Sequence, residues 1–348
     1  MGVTRRSFVK TSLALLAGGA LYPHQARSRN QSLNGAQERR IPIILDSDIG
    51  DDIDDTWALL MLLRSPQFDV KLVVSDFGNA VYRCRLFAKL LELTGFIHIP
   101  VGVGLDARDE VGRQSGWIGD YRLEDYPGTV YYDGVQALIE TIMQSPEPVT
   151  LLCIGPVPNI AEALRREPAI AGNARFVGMH GSIFTGYDGA PTPVAEWNVK
   201  SNPKALQQVF SAPWDCTITP LDTCGSIKLA GENYQRIYRS EDPWLKALIE
   251  NYRIWLPLAP FIKPGTDPGR MSTTLFDTVA VYAAYSQEFL VMEDLPLRVT
   301  DDGYTVVDSQ NGRPVHCAIK WRNPEAFKAK LVDTLTYKFG TSMNLERP

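Results

Sequence analysis

Organised cysteine, long apolar runs and an excess of basic charge are what this 348-residue chain has least of. Its five cysteines, Cys84, Cys153, Cys216, Cys224 and Cys317, form an odd set without metal-type spacing. A disulfide framework is not expected in a chain of this size, and one pair, such as Cys216 with Cys224, stays open. Cys153 sits in the apolar run VTLLCIGP, where a thiol is a buried filler. Lysine and arginine number 35 against 40 acidic residues, a formal net charge of −5. Nucleic acid and anionic membrane both want a basic face, so neither is expected as a partner. Internal repeats are absent, and no Gly- or Ser-rich boundary interrupts residues 41–340.

The one extended apolar run near the start, TSLALLAGGALY, is about a dozen residues, short of the roughly 20 that span a bilayer. It follows TRRSFVK, and twin arginines before a short apolar run read as a twin-arginine export leader. Residues 1–30 are assigned to that leader, 31–40 to a polar linker and 41–340 to a single domain. Cleavage near Ala20 or Ala26 removes Arg5, Arg6 and Lys10 and takes the formal charge from −5 to −8. The mature protein is therefore expected in the periplasm or medium, free of the membrane.

From residue 41 the chain, 45% hydrophobic and 22% charged, has an ordinary globular composition. IPIIL is a short continuous apolar run, as in a strand buried on both faces of a parallel sheet. DDTWALLMLLRSP reads as a helix stopped at Pro66, FDVKLVVSDFGN as a strand entering a turn, and VYRCRLFAKLLELTG as a helix closing on Gly95. The alternation continues through PVTLLCIGP, IAEALRREP and ARFVGMHGS to residue 182. Such alternation predicts an α/β fold with a doubly wound, mostly parallel central sheet. LRVTDDGYTVVD and GRPVHCAIKW add a small C-terminal β extension, followed by the helix PEAFKAKLVDTLTYKF.

Six aspartates fall within the ten positions from Asp46 to Asp55. Helix-dipole stabilisation accounts for acids in a first helical turn, such as Asp54 and Asp55, but not for six. Carboxylates crowded together raise one another's pKa unless a cation neutralises them. With no histidine or cysteine nearby in sequence, all-oxygen ligands select a hard ion, Ca²⁺ or Mg²⁺. An EF-hand loop begun at Asp46 fails, because its fifth residue is Gly50 and its twelfth Trp57. Asp46-Ser47-Asp48 after a strand also fits a Mg²⁺-dependent phosphohydrolase with Asp46 as nucleophile, although that leaves Asp54 and Asp55 without a role.

ILDSDIGDDIDDTWALLMLLRSP resembles the signature of the inosine-uridine-preferring nucleoside hydrolases, with two extra residues before the second aspartate pair. The resemblance continues through SDFGN, LLCIGPVPNIAEAL, VGMHGS, PVAEWNVKSNPKALQQVF, PLD and TTLFDTVAVYAAY, nearly everything after residue 40. It implies one Ca²⁺ held by Asp48, Asp55, the carbonyl of Ile154 and Asp277, with Asp48 also acting as general base. It implies ribose recognition by Asp54, Asn79, Glu196 and Asn198, and a tendency to form dimers or tetramers. Asp46 supports the metal ligands in this reading, and Trp197 reads more readily as core than as a stacking face.

The chain departs from that pattern where purine-handling members place a histidine, immediately before the last metal-binding aspartate: this position is Phe276. His180, in MHGS at a strand end, becomes the candidate acid for the leaving base, while His98 and His316 read as structural and His24 belongs to the leader. The segment 182–192 is longer than the family pattern. The expected activity is Ca²⁺-dependent hydrolysis of a nucleoside or related riboside to ribose and free base. The alternatives are the phosphohydrolase and a non-catalytic periplasmic riboside-binding protein.

Overall fold

Ten strands pair into one sheet: β1 (Ile41–Ser47), β2 (Phe68–Ser75), β3 (Val101–Gly102), β4 (Val130–Tyr131), β5 (Val149–Cys153), β6 (Ala174–Gly178), β7 (Cys216–Ile218), β8 (Leu290–Val299), β9 (Thr305–Val307) and β10 (Arg313–Trp321). The computed structural model describes residues 39–337 except 107 and 111. The expected export leader, His24 and residues 338–340 lie outside the described residues.

The strand order is β4-β3-β2-β1-β5-β6-β7-β10-β8-β9. Every pair from β4 to β10 is parallel, and β8 and β9 add antiparallel strands at one edge. This is the expected α/β architecture with its C-terminal β extension. β1 shows why it forms: Ile43 and Leu45 enter the core on one face, Ile44 the core on the other, and none is more than 1% exposed. Burial on both faces is what a continuous apolar strand flanked by helices requires.

Helix Asp54–Arg64 ends where Ser65 turns extended ahead of Pro66, because the proline ring disfavours the helical conformation in the residue before it. That helix packs against helix Phe276–Ala283, which lays two N-terminal turns side by side. The five cysteines are free and buried. Cys216 belongs to one core and Cys224 to the other, so the disulfide left open by the sequence does not form. Among the described residues, no helix is long and apolar enough to cross a membrane.

Candidate active site at the carboxyl ends of the central strands

β1 lies between β2 and β5, so the chain reverses direction across the sheet there. Open α/β sheets bind ligands in the crevice at such a point, beyond the carboxyl ends of the strands. Register puts those ends level: Ser47 pairs with Ser75, Asp46 with Cys153, and Cys153 with Gly178. The aspartate loop leaves β1 here and turns at Gly50, whose φ of 104° is a conformation that side-chain-bearing residues avoid. A side chain at Gly50 would also meet the Tyr82 ring at 2.7 Å. Tyr82 Oη donates to the Gly50 carbonyl at 3.2 Å and receives the Gln114 N–H at 2.8 Å. Arg83 ties the loop down from below, donating to the carbonyls of Asp48, Ile49 and Phe77.

Four carboxyls converge on the floor of a cavity of about 740 Å³: Asp48, Asp54, Asp55 and Asp277. All four are buried. Asp54, Asp55 and Asp277 each offer an oxygen within 4.8 Å of the others. Asp54 Oδ2 receives the Asp277 N–H at 3.2 Å, and Asp55 Oδ1 receives the Ser47 hydroxyl at 2.6 Å. Burial raises Asp48 to about 6, with the Arg83 guanidinium opposing and Asp54 and Glu196 adding to the rise. Burial likewise raises Asp54 to about 6, and burial with mutual repulsion holds Asp55 and Asp277 well above the carboxylate range. A cluster strained in this way is relieved by a cation. The donors present are all oxygens and closely grouped, which fits one hard ion such as Ca²⁺. Of the four expected ligands, Asp55 and Asp277 belong to the close trio; Asp48 and Ile154 line the same cavity, and Asp54 completes the trio.

Glu196 and Asn198 also line the cavity. The Glu196 carboxylate caps helix Trp197–Ser201, accepting the N–H groups of Asn198 and Val199, and also that of Gly181. Burial raises it to about 7. Asn198 Nδ2 is held by the carbonyls of Ile154 and Met179 at 3.2 and 3.1 Å, so its Oδ1 is the atom left for a ligand. Trp197, expected in the core, lies on the cavity wall instead and is 52% exposed.

Two expected site residues are not on the cavity wall. Asn79 caps helix Ala80–Thr94, its Oδ1 accepting the Tyr82 N–H at 3.0 Å and its Nδ2 donating to the Glu110 carbonyl. His180 is fully buried against Phe176, with Nε2 at 2.9 Å from the Gly155 carbonyl, and burial lowers its pKa to about 4. It is a neutral support beneath the floor. Asp46 is fully buried too, its Oδ2 receiving Asn159 Nδ2 at 2.7 Å. Burial raises both Asp46, to about 7, and Asp76, whose rise the nearby Asp46 charge adds to. Asp46 is not among the residues that line the cavity, which counts against the phosphohydrolase with Asp46 as nucleophile. Sequence reasoning passed over Arg83 and Asp76, although an acid ending β2 beside the acid end of β1 was a usable signal for Asp76.

The mouth of the cavity is aromatic and ion-paired. Tyr187 meets Phe276 edge-on at 5.9 Å between centroids, and its hydroxyl receives the Trp197 N–H at 2.9 Å. Lys228 and Lys263 both pair with Asp188, at 2.7 and 2.8 Å, and Arg113 pairs with Asp51.

Residues 43–336 match the family described as inosine-uridine preferring nucleoside hydrolase. The pyrimidine-specific ribonucleoside hydrolase RihA of Salmonella arizonae is 30% identical over 260 residues, 69% of this chain and 82% of the relative. The RihA of an Escherichia coli O8 strain is 28% identical, over 73% and 88%. Among solved structures, a plant nucleoside hydrolase superposes with a TM-score of 0.72 at 20% identity, covering 86% of this chain and all of the other. A purine-preferring ribonucleoside hydrolase from Gardnerella vaginalis gives 0.67 at 20% identity, covering 84% and 98%. At such identities the structures establish the shared fold.

Proposed function

Because the chain belongs to the inosine-uridine preferring nucleoside hydrolase family, we propose that it is a calcium-dependent N-ribohydrolase, splitting a riboside into ribose and a free base. The observation that carries this reading is the convergence of Asp48, Asp54, Asp55 and Asp277 on one buried floor. Asp54, Asp55, Asp277 and the Ile154 carbonyl, with Asp48 beside them, are the groups that would hold calcium. Calcium bound there would supply the positive charge that orients a water molecule and makes it more acidic.

Asp48 would take a proton from the attacking water as the water oxygen bonds to C1′, while the pair of the C1′–N bond departs with the base. The sugar passes through an oxocarbenium-like state. Asp54, Glu196 and the Asn198 Oδ1 accept ribose hydroxyls, and their buried, hydrogen-bonded settings hold them rigid. A cavity of about 740 Å³ lies within the range of small-molecule sites. The twin-arginine segment directs export, so the substrate is met outside the cytoplasm; recovery of the chain in the periplasmic fraction, lost with Arg5→Lys and Arg6→Lys together, checks this.

Release of reducing sugar from a riboside panel tests the reading. Asp48→Asn is expected to lower turnover by about 10²- to 10⁴-fold while the melting transition stays cooperative. Ribosides bound by the calcium-supplemented protein but never cleaved would make it a binding protein instead.

A further inference from the structure

A neutral nucleobase leaves C1′ as an anion unless a proton reaches it, so the site needs a donor near the departing ring. Among the described residues, the cavity wall carries no histidine and no unpaired cation to supply it. Phe276 lines the wall beside Asp277 and carries no exchangeable proton. His180 lies off the wall with Nε2 on the Gly155 carbonyl. Lys228 and Lys263 are both held by Asp188, and Arg113, held by Asp51, does not give up its proton in proteins. Burial and the nearby Glu196 carboxylate push the Tyr187 hydroxyl upward, which makes it a weaker acid than an ordinary phenol, and the Glu196 carboxylate is already committed to accepting the N–H groups of Gly181, Asn198 and Val199.

The same wall suits positive charge. Eight of the charged side chains lining it are acidic and three basic, and the three cations are all paired with Asp51 or Asp188. The other six carboxyls have no ion-pair partner among the described residues, and one divalent ion offsets two charges. At the mouth Trp197 is 52% exposed, next to the edge-to-face pair of Tyr187 and Phe276, and Phe261 already carries the Arg113 guanidinium 5.1 Å from its ring centroid. An open indole face in an acidic cavity attracts a flat cation, as Phe261 already does.

We propose that the substrates of this site are N-ribosides whose base already carries a positive charge, of the pyridinium or N7-alkylated purine class. The inference rests on the hydrolase reading and specifies its leaving group. Water oxygen bonds to C1′, one water proton passes to Asp48 and on to solvent, and the C1′–N pair returns to the ring nitrogen. That pair cancels the positive charge, and the base leaves neutral without accepting a proton.

The test compares matched substrates on the calcium-supplemented chain: guanosine against 7-methylguanosine, uridine against nicotinamide riboside, with p-nitrophenyl riboside as an activated reference. The expected result is a kcat/KM for each cationic riboside about 10²-fold or more above its neutral counterpart, the span a missing general acid leaves. Phe276→His should narrow the guanosine gap by about tenfold by supplying a proton. Independently of turnover, 1-methylnicotinamide should quench tryptophan fluorescence at lower concentration than nicotinamide, and Trp197→Ala should remove the difference. Equal rates on both members of each pair, with p-nitrophenyl riboside cleaved, would overturn the cationic assignment and leave the hydrolase intact. Failure to cleave any riboside, the activated one included, would overturn both.

Discussion

His180 is a residue whose place in the chain and whose role diverge. The strand-end motif MHGS puts it at the ligand-binding edge of the sheet, yet the side chain turns inward beneath the floor. Gly178 makes that possible, because a Cβ there would lie 2.4 Å from His180 Nδ1. Sequence gives the level of a residue along a strand but not which way a loop side chain finally points. Burial favours the neutral ring and lowers the pKa from 6.5 to about 4. Below about pH 6.5 the unfolded chain therefore binds a proton that the folded protein refuses, so stability falls as pH drops from 6.5 towards 4 and levels off below. The full loss is of order 3 kcal/mol by the standard conversion. His180→Gln should flatten the melting temperature across pH 4 to 6.5 relative to the parent protein; an unchanged slope would mean that other groups govern acid stability.

At the scale of elements, the signals that mark helix starts were present even where the helices went unread. Asn202-Pro203, Asp242-Pro243 and Asn323-Pro324 each pair a capping side chain with proline in the first turn, the arrangement that satisfies free N–H groups at the least cost. Only the helix after the last of these was read from the sequence. Helices Pro203–Ser211, Gly231–Tyr238 and Pro243–Trp255 fall in a span where strands are sparse and no βα alternation announces them. β7 has three residues, too few for a periodicity to register. Asn79 belongs to the same class of capping residues, and its geometry yields a prediction. Asn79→Ala should lower unfolding free energy by about 1 kcal/mol, read by urea denaturation, with riboside KM essentially unmoved. A large rise in KM with little loss of stability would return Asn79 to the sugar site.

For the whole molecule, the sheet brings together what the chain keeps far apart. Asp54 and Asp277 are 223 residues apart in sequence and joined by a hydrogen bond, because the helices that they open pack side by side. Alternation of strands and helices made the carboxyl edge of the sheet legible. The identity of the distant fourth carboxyl was legible only through family resemblance, since one aspartate in LFDTVA carries no local signal. The assembly has a thermodynamic consequence. Without a cation, Asp48 and Asp54 keep their protons to about pH 6 in the fold against 3.8 in the unfolded chain, and Asp55 and Asp277 shift the same way. Groups raised in this manner contribute stability at low pH that is lost as pH rises from 3.8 through about 6. In the proposed reading, calcium would replace those protons as the neutralising charge and bind the folded state selectively. Melting temperature in chelator should therefore fall from pH 5 to pH 8, and the rise on adding calcium should be larger at pH 8 than at pH 5. The same increment at both values, or none at either, would show that these carboxyls are not neutralised by one shared ion.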